Sequence, residues 1–276
     1  MTICLVLGGG GSRGLAHIGV LKVLEEHDIP IDYIVGTSMG GIVAALYSLG
    51  LDLDRIAERM KDMQNTSLFS VKMFSARARQ QSVQELLEPA LGGKTFDDLT
   101  IPLTVMAVDM VTGTEVGISE GPLLPAILAT SAVPAVFPPV EIGEMLLSDG
   151  GVIDSVSTEM AYKIGADKII AVDVHPPLAR DDPWMEPLVE IVGFQLPFNL
   201  SINNLPSMSA AIWRSVRVMA THVHEARLRQ FPPDVLLRPP VEDYGSLDFK
   251  DVTGPIEAGI VETERHLEAL LALKPH

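Results

Sequence analysis

The first fifty residues limit the possible folds more than any other stretch. A short apolar run, Ile3-Cys4-Leu5-Val6-Leu7, leads into a glycine-rich turn at 8–14 and then a helical pattern over 15–27. A second apolar run at 33–35 leads into another glycine turn at 36–40 and a second helical pattern over 41–49, which Gly50 ends. Strands without polar alternation are buried on both faces, as in parallel sheets. In the first helix Leu15, Ile18, Leu21, Val23 and Leu24 supply the apolar residues, and Lys22, Glu25 and Glu26 face solvent. Strand, turn and helix repeated in this order predict a parallel sheet with helices packed on it.

The same grammar continues. Helices are expected over 54–63, 81–88, 123–130, 157–164, 210–230 and 255–273, and strands over 103–108, 114–118, 145–147, 168–174 and 234–237. The helix at 81–88 should stop near Pro89 and Gly92-Gly93, while Pro255 sits in a first turn, where its missing N–H does no harm. The predicted fold is α/β, with a mostly parallel central sheet and helices on both sides. No internal repeat or low-complexity linker divides the chain, so one domain over 1–276 is expected.

Charge narrows the function. The 276 residues carry 20 Lys+Arg against 36 Asp+Glu, a net charge of −16, which disfavours nucleic acid as a partner. Anionic lipid is disfavoured on average too, although local basic patches escape that average. Cys4 is the only cysteine, so no intrachain disulfide forms, and it reads as a small buried hydrophobe. Residues 1–7 show no secretory signal. The longest uncharged stretch, 191–213, is interrupted by Pro197, Asn199, Asn203, Asn204 and Pro206, each costly in a membrane-spanning helix. These features lead us to expect a cytoplasmic protein, with at most transient contact to a membrane surface.

Three motifs carry chemistry. Gly36-Thr37-Ser38-Met39-Gly40 fits the G-x-S-x-G elbow, in which a sharp strand-to-helix turn exposes a serine oxygen and glycines two residues away prevent crowding. The helix N-terminus that follows can stabilise negative charge; the plainer alternative is a helix-capping serine. Gly8-Gly9-Gly10-Gly11-Ser12-Arg13-Gly14 offers several unobstructed backbone N–H groups to an anion. It also contains the G-x-G-x-x-G dinucleotide spacing, but that reading needs an acidic residue at the end of the second strand, and Asp32 lies at its other end. Asp149-Gly150-Gly151 places a carboxylate at the end of a short strand, as an ordinary Asp-Gly turn also would.

Taken in order, these motifs resemble the patatin-like phospholipase family, which shows G-G-G-x-[KR]-G, then G-x-S-x-G, then D-G-[GA]. The resemblance extends through Gly14-Leu15-Ala16-His17-Ile18-Gly19-Val20-Leu21 and through the proline-rich block Ser131-Ala132-Val133-Pro134-Ala135-Val136-Phe137-Pro138-Pro139. It covers about 1–175 and is closest to small bacterial stand-alone members. It implies a three-layer patatin-like fold and a serine hydrolase of lipid or other carboxylic esters that needs no cofactor. Ser38 would be the nucleophile and Asp149 the base. Gly9, Gly10 and Gly11, with Met39, would form the oxyanion hole, and Arg13 would support the loop or meet an anionic head group. A free aspartate, with a pKa of about 3.9, is a weak base for a hydroxyl, so such a dyad demands a desolvated Asp149 or a strongly stabilised alkoxide.

Other readings stay open at this stage. A Ser-His-Asp esterase would need one of His17, His27, His175, His222, His224, His266 or His276, and only His175 stands near a strand end after the aspartate. His222 and His224 are two apart on a helix and make a poor metal pair, so no metal is expected. A non-catalytic lipid-binding module on the same fold is the third reading. The stretch 191–213 reads as core or a subunit contact before a lid, and Arg77 and Arg79 could contact phosphate.

Overall fold

The computed structural model describes residues 1–65, 75–134, 136–178, 208–247 and 249–274. Strand β1 (Ile3–Leu7) enters a 3-10 turn, Gly11–Leu15, and then helix α1 (Ala16–Glu26). Strand β2 (Tyr33–Thr37) passes through Ser38 into α2 (Met39–Ser48), followed by α3 (Leu53–Asn65) and α4 (Ala76–Leu91). The middle holds β3 (Leu103–Asp109), β4 (Glu115–Ile118), α5 (Leu123–Thr130), β5 (Val140–Ile142), β6 (Met145–Asp149), α6 (Thr158–Ile164) and β7 (Lys168–Val172). Beyond residue 207 come α7 (Met208–Gln230), β8 (Val235–Leu237), α8 (Thr253–Arg265) and α9 (Leu267–Leu271).

The eight strands form one sheet in the order β5-β6-β3-β2-β1-β7-β8, with β4 also on β3. Strands β3, β2, β1, β7 and β8 run parallel, and β4, β5 and β6 make an antiparallel end. The unalternating apolar strands are explained by burial on both faces. Ile3, Leu5 and Leu7 join one core with α1, α2 and α5, while Cys4 and Val6 join a second with Ala161 of α6 and Leu228 of α7. Each such side chain contributes about 1.5–3 kcal/mol on burial. The expected α/β class with helices on both sides is what the chain forms.

The register along β3 brings two strand ends together. Val105 faces Gly36 of β2 and Ile118 of β4, while Ala107 faces Asp149 of β6 and Val116 of β4. Strands β2 and β6 therefore share one edge of β3, entering from opposite directions, and β4 takes the other edge.

Several expected boundaries shift. Helix α4 continues through Pro89 to Leu91, because a proline in the last turn removes few helical bonds and the Gly92 N–H still reaches the Glu88 carbonyl at 2.8 Å. The helix expected over 255–273 breaks at His266 into α8 and α9. Strand β5 was not expected; it exists as the hairpin partner of β6 across a turn with Gly143 at positive φ. The stretch 191–207 lies outside the described residues.

Candidate active site

Ser38 is the only residue between β2 and α2, at φ 53° and ψ −122°. A non-glycine residue there stores about 1–3 kcal/mol of strain, which the surroundings must hold. They do so from both sides. A Cβ at Gly40 would lie 2.1 Å from the Leu7 carbonyl oxygen, and one at Gly36 would lie 2.7 Å from the Gly41 Cα, so neither position accepts a side chain. The Ser38 N–H donates to Thr130 Oγ1 at 2.9 Å, and that hydroxyl donates to the Met106 carbonyl. The serine is 7% exposed.

Asp149 ends β6 opposite Ala107, one residue along β3 from Met106, which faces Thr37. Its N–H donates to the Ala132 carbonyl at 3.1 Å, and its carboxylate accepts the Gly151 N–H at 2.8 Å. At 4% exposure, burial pushes this carboxyl up to about 6, against the pull of hydrogen bonds from the Ser38 side chain and Gly151. Burial thus supplies the desolvation a serine–aspartate pair requires.

The glycine loop lies beside the pair. Gly8 N–H donates to the Val172 carbonyl at 3.0 Å and Gly9 N–H to the Ser155 carbonyl at 2.9 Å. This corrects the expected donor set: the Gly9 N–H is committed to a carbonyl. What Gly9 provides is room, since a Cβ there would meet the Ser38 Cβ at 3.2 Å. Among the described residues no backbone partner is found for the N–H groups of Gly10, Gly11 or Met39, the last in the first turn of α2. Gly11, at φ +61°, touches Ser246, whose carbonyl oxygen would be 1.9 Å from an added Cβ. The Ser12 hydroxyl donates to the Gly245 carbonyl at 2.6 Å, Ser12 N–H to the Ser246 carbonyl at 2.8 Å, and Arg13 Nη1 to Ser246 Oγ at 3.1 Å. Of the two roles considered for Arg13, loop support has this visible contact. His17 holds the loop from below, donating from Nε2 to the Gly8 carbonyl at 2.7 Å, and burial lowers its pKa to about 4.

A pocket of about 730 Å³, counting the solvent at its mouth, opens at Ser38 and Gly11. Its walls are apolar: Ile42, Val83, Leu128, Val136, Phe137 and Phe249 line it. Arg79 is on the same wall, with Nε donating to the Val136 carbonyl at 2.7 Å, and Arg77 is exposed.

Among the described residues no histidine is hydrogen-bonded to Ser38 or Asp149. Rings of His175 and His224 are 5.6 Å apart, and His175 Nε2 is 3.5 Å from the Thr221 hydroxyl. Burial raises Asp149 against the pull of the Ser38 and Gly151 hydrogen bonds, and no histidine contributes to the shift. Three residues that shape the site escaped sequence reasoning: Thr130, Ser155 and Ser246. Only long-range contact reveals them, though the Gly245-Ser246 pair carries a turn signature.

Fold and site together define a class: an α/β protein with a serine on a strained strand-to-helix turn beside a buried carboxylate. The family model described as patatin-like phospholipase matches residues 5–162, more than half of the 276, and the chain belongs to that family. It is 29% identical over 275 residues to an uncharacterized NTE family protein of Mycobacterium bovis, covering 97% of this chain and 47% of that protein. It is 30% identical over 283 residues to a protein named lysophospholipase nte1 of Aspergillus fumigatus, covering 98% of this chain and 18% of that one. The chain thus spans half or less of the length of these relatives. Among solved structures, VipD of Legionella pneumophila shares the fold, with a TM-score of 0.52 at 13% identity over 99% of this chain and 67% of that one.

Proposed function

We propose that the chain hydrolyses lipid acyl esters through an acyl-Ser38 intermediate. Asp149 takes the Ser38 proton as Oγ attacks the ester carbonyl carbon. The carbonyl electrons move to oxygen, where the N–H groups of Gly10, Gly11 and Met39 hold the oxyanion, assisted by the N-terminus of α2. Collapse expels the alcohol, which takes the proton from Asp149. A water then gives a proton to Asp149 as its oxygen attacks the acyl carbon, and collapse releases the fatty acid while Asp149 returns that proton to the departing Ser38 Oγ. The acyl chain lies in the apolar pocket, and the lipid is met by transient contact with a membrane surface from the cytoplasm.

The observation that carries this reading is the buried Asp149, raised to about 6 and hydrogen-bonded by Ser38 at the mouth of an apolar pocket. A carboxylate near that value is a far better base for a hydroxyl than an exposed one. The named activity of the Aspergillus relative, a lysophospholipase, agrees with a lipid ester as substrate.

Turnover of p-nitrophenyl octanoate and of lysophosphatidylcholine by wild type and Ser38→Ala tests the proposal, with intact-mass detection of the acylated protein. A loss of at least about 10³-fold is expected, together with an acyl adduct on the peptide containing Ser38. Turnover retained by Ser38→Ala removes the serine from the reaction.

A further inference from the structure

The oxyanion loop is a wedge between two other loops at the carboxyl end of the sheet. On one side is the loop after β6, through the Ser155 carbonyl and Val156. On the other is the loop after β7, through the Val172 carbonyl and Val174. A Cβ at Gly8 would meet Val156 Cγ2 at 2.7 Å and the Val172 oxygen at 2.8 Å, and one at Gly10 would meet Val174 Cγ2 at 2.7 Å. The spacing of these two walls therefore decides where the Gly10 and Gly11 N–H groups sit.

One side chain spans both walls. His224 of α7, 3% exposed, places Nε2 at 3.1 Å from Asp173 Oδ2 and Nδ1 at 3.8 Å from Asp154 Oδ1. Asp154 lies one residue before Ser155, and Asp173 one before Val174. Both carboxylates are buried, and each has an arginine behind it. Arg227 reaches Asp154 at 3.4 Å, Glu159 at 3.2 Å and Glu115 at 2.8 Å, and Arg238 reaches Asp173 at 3.1 Å and Glu225 at 2.9 Å. His175, beside the ring, is held neutral by burial and by the charge of His224, with Arg217 and Arg13 acting the same way, and its pKa is lowered to about 4.

We propose that His224 is a positioning residue for ester hydrolysis: as an imidazolium between Asp154 and Asp173, it clamps the two walls that set the oxyanion loop. The inference rests on the hydrolase reading above and gives α7, which no motif marked, a part in it. Five carboxylates (Glu115, Asp154, Glu159, Asp173 and Glu225) face four cations, Lys163, Arg227, Arg238 and His224, when the ring is charged and three when it is not. Burial opposes the charged ring, but the two aspartates outweigh it and raise the pKa to about 9. Desolvation of Asp173 is likewise overcome by its bond to and attraction for His224, so that carboxyl is lowered. The clamp is intact through neutral pH and is lost as pH rises through about 9.

The test is the pH dependence of kcat and KM for a short soluble ester, set beside NMR titration of the His224 ring in the same wild-type protein and the same measurements on His224→Gln. In wild type, kcat is expected to fall about tenfold as the ring deprotonates, with KM within twofold. His224→Gln is expected to lose about tenfold in kcat at pH 7.5 and to show no further fall across that window. A wild-type kcat that stays flat while the ring titrates overturns the proposal, whether or not the variant folds. So does a His224→Gln protein that melts earlier but keeps its kcat. Reaction of Ser38 with a fluorophosphonate at pH 7.5 separates the two claims: absent labelling overturns the hydrolase reading and this inference with it, whereas normal labelling with a flat profile overturns only the clamp.

Discussion

Thr37 and Asp149 face consecutive residues on one edge of β3, Met106 and Ala107, although they arrive on strands running in opposite directions. This arrangement unites a nucleophile candidate and a carboxylate 111 positions apart (149 − 38). Strand β3 acts as a ruler, and Thr130 ties the ruler to the elbow by bridging Met106 and the Ser38 N–H. The pairing is thus a property of sheet register, not of a flexible loop, and the consequences below follow from it.

The first concerns pH. Asp149 must be ionised to accept a proton, and burial raises it to about 6. The kcat/KM of a neutral ester should rise through pH 6, tenfold per unit on the acid side, and level off by pH 8, below the window in which His224 titrates. A profile flat from pH 5 to 8 would show that no group of this kind limits the reaction.

The second concerns stability. In the unfolded chain Asp149 ionises near its ordinary value of 3.8, and in the folded chain near about 6. Between these values the folded state keeps a proton that the unfolded state has lost, so stability falls as pH rises through this window and stays lower above it. Asp149→Asn should therefore stabilise the protein at pH 7 by about 1–3 kcal/mol while abolishing ester cleavage. Urea unfolding of both proteins at pH 7 measures this.

The third concerns the loop. Gly11→Ala puts a methyl group into the Ser246 carbonyl and forces a side chain at φ +61°, and Gly10→Ala presses against Val174. Each should lower kcat by about 10²–10³. Because the Gly9 N–H is spent on Ser155, loss of that donor is no part of the expected effect.

The fourth concerns chain length. Val83 on α4 lines the pocket. Val83→Phe should reduce activity on dodecanoyl esters at least about tenfold relative to butanoyl esters, because overfilled apolar sites reject added methylenes at about 1–3 kcal/mol. An unchanged ratio places the acyl chain elsewhere.

Much of this was legible before the structure. Ile3–Leu7 and the run at 33–35 announced a buried parallel sheet because nothing polar interrupts them, and Ser38 announced itself through glycines that tolerate no Cβ. Asp149 was marked by its strand end. What the sequence did not reveal depends on distant partners. The Gly9 N–H meets Ser155, Gly11 meets Ser246 and His224 meets Asp154 and Asp173, all across 50 residues or more, and local patterns carry no trace of such pairs. Proline 89 misled for a related reason: its cost depends on where in the helix it falls.

The central claim is that Ser38 is activated by Asp149. The most direct measurement is the rate of fluorophosphonate labelling of Ser38 in wild type and Asp149→Asn between pH 5 and 8. The account expects labelling confined to Ser38, a wild-type rate that climbs through about pH 6, and an Asp149→Asn rate at least about 10³-fold lower with no such climb. Labelling of Asp149→Asn at the wild-type rate would contradict it.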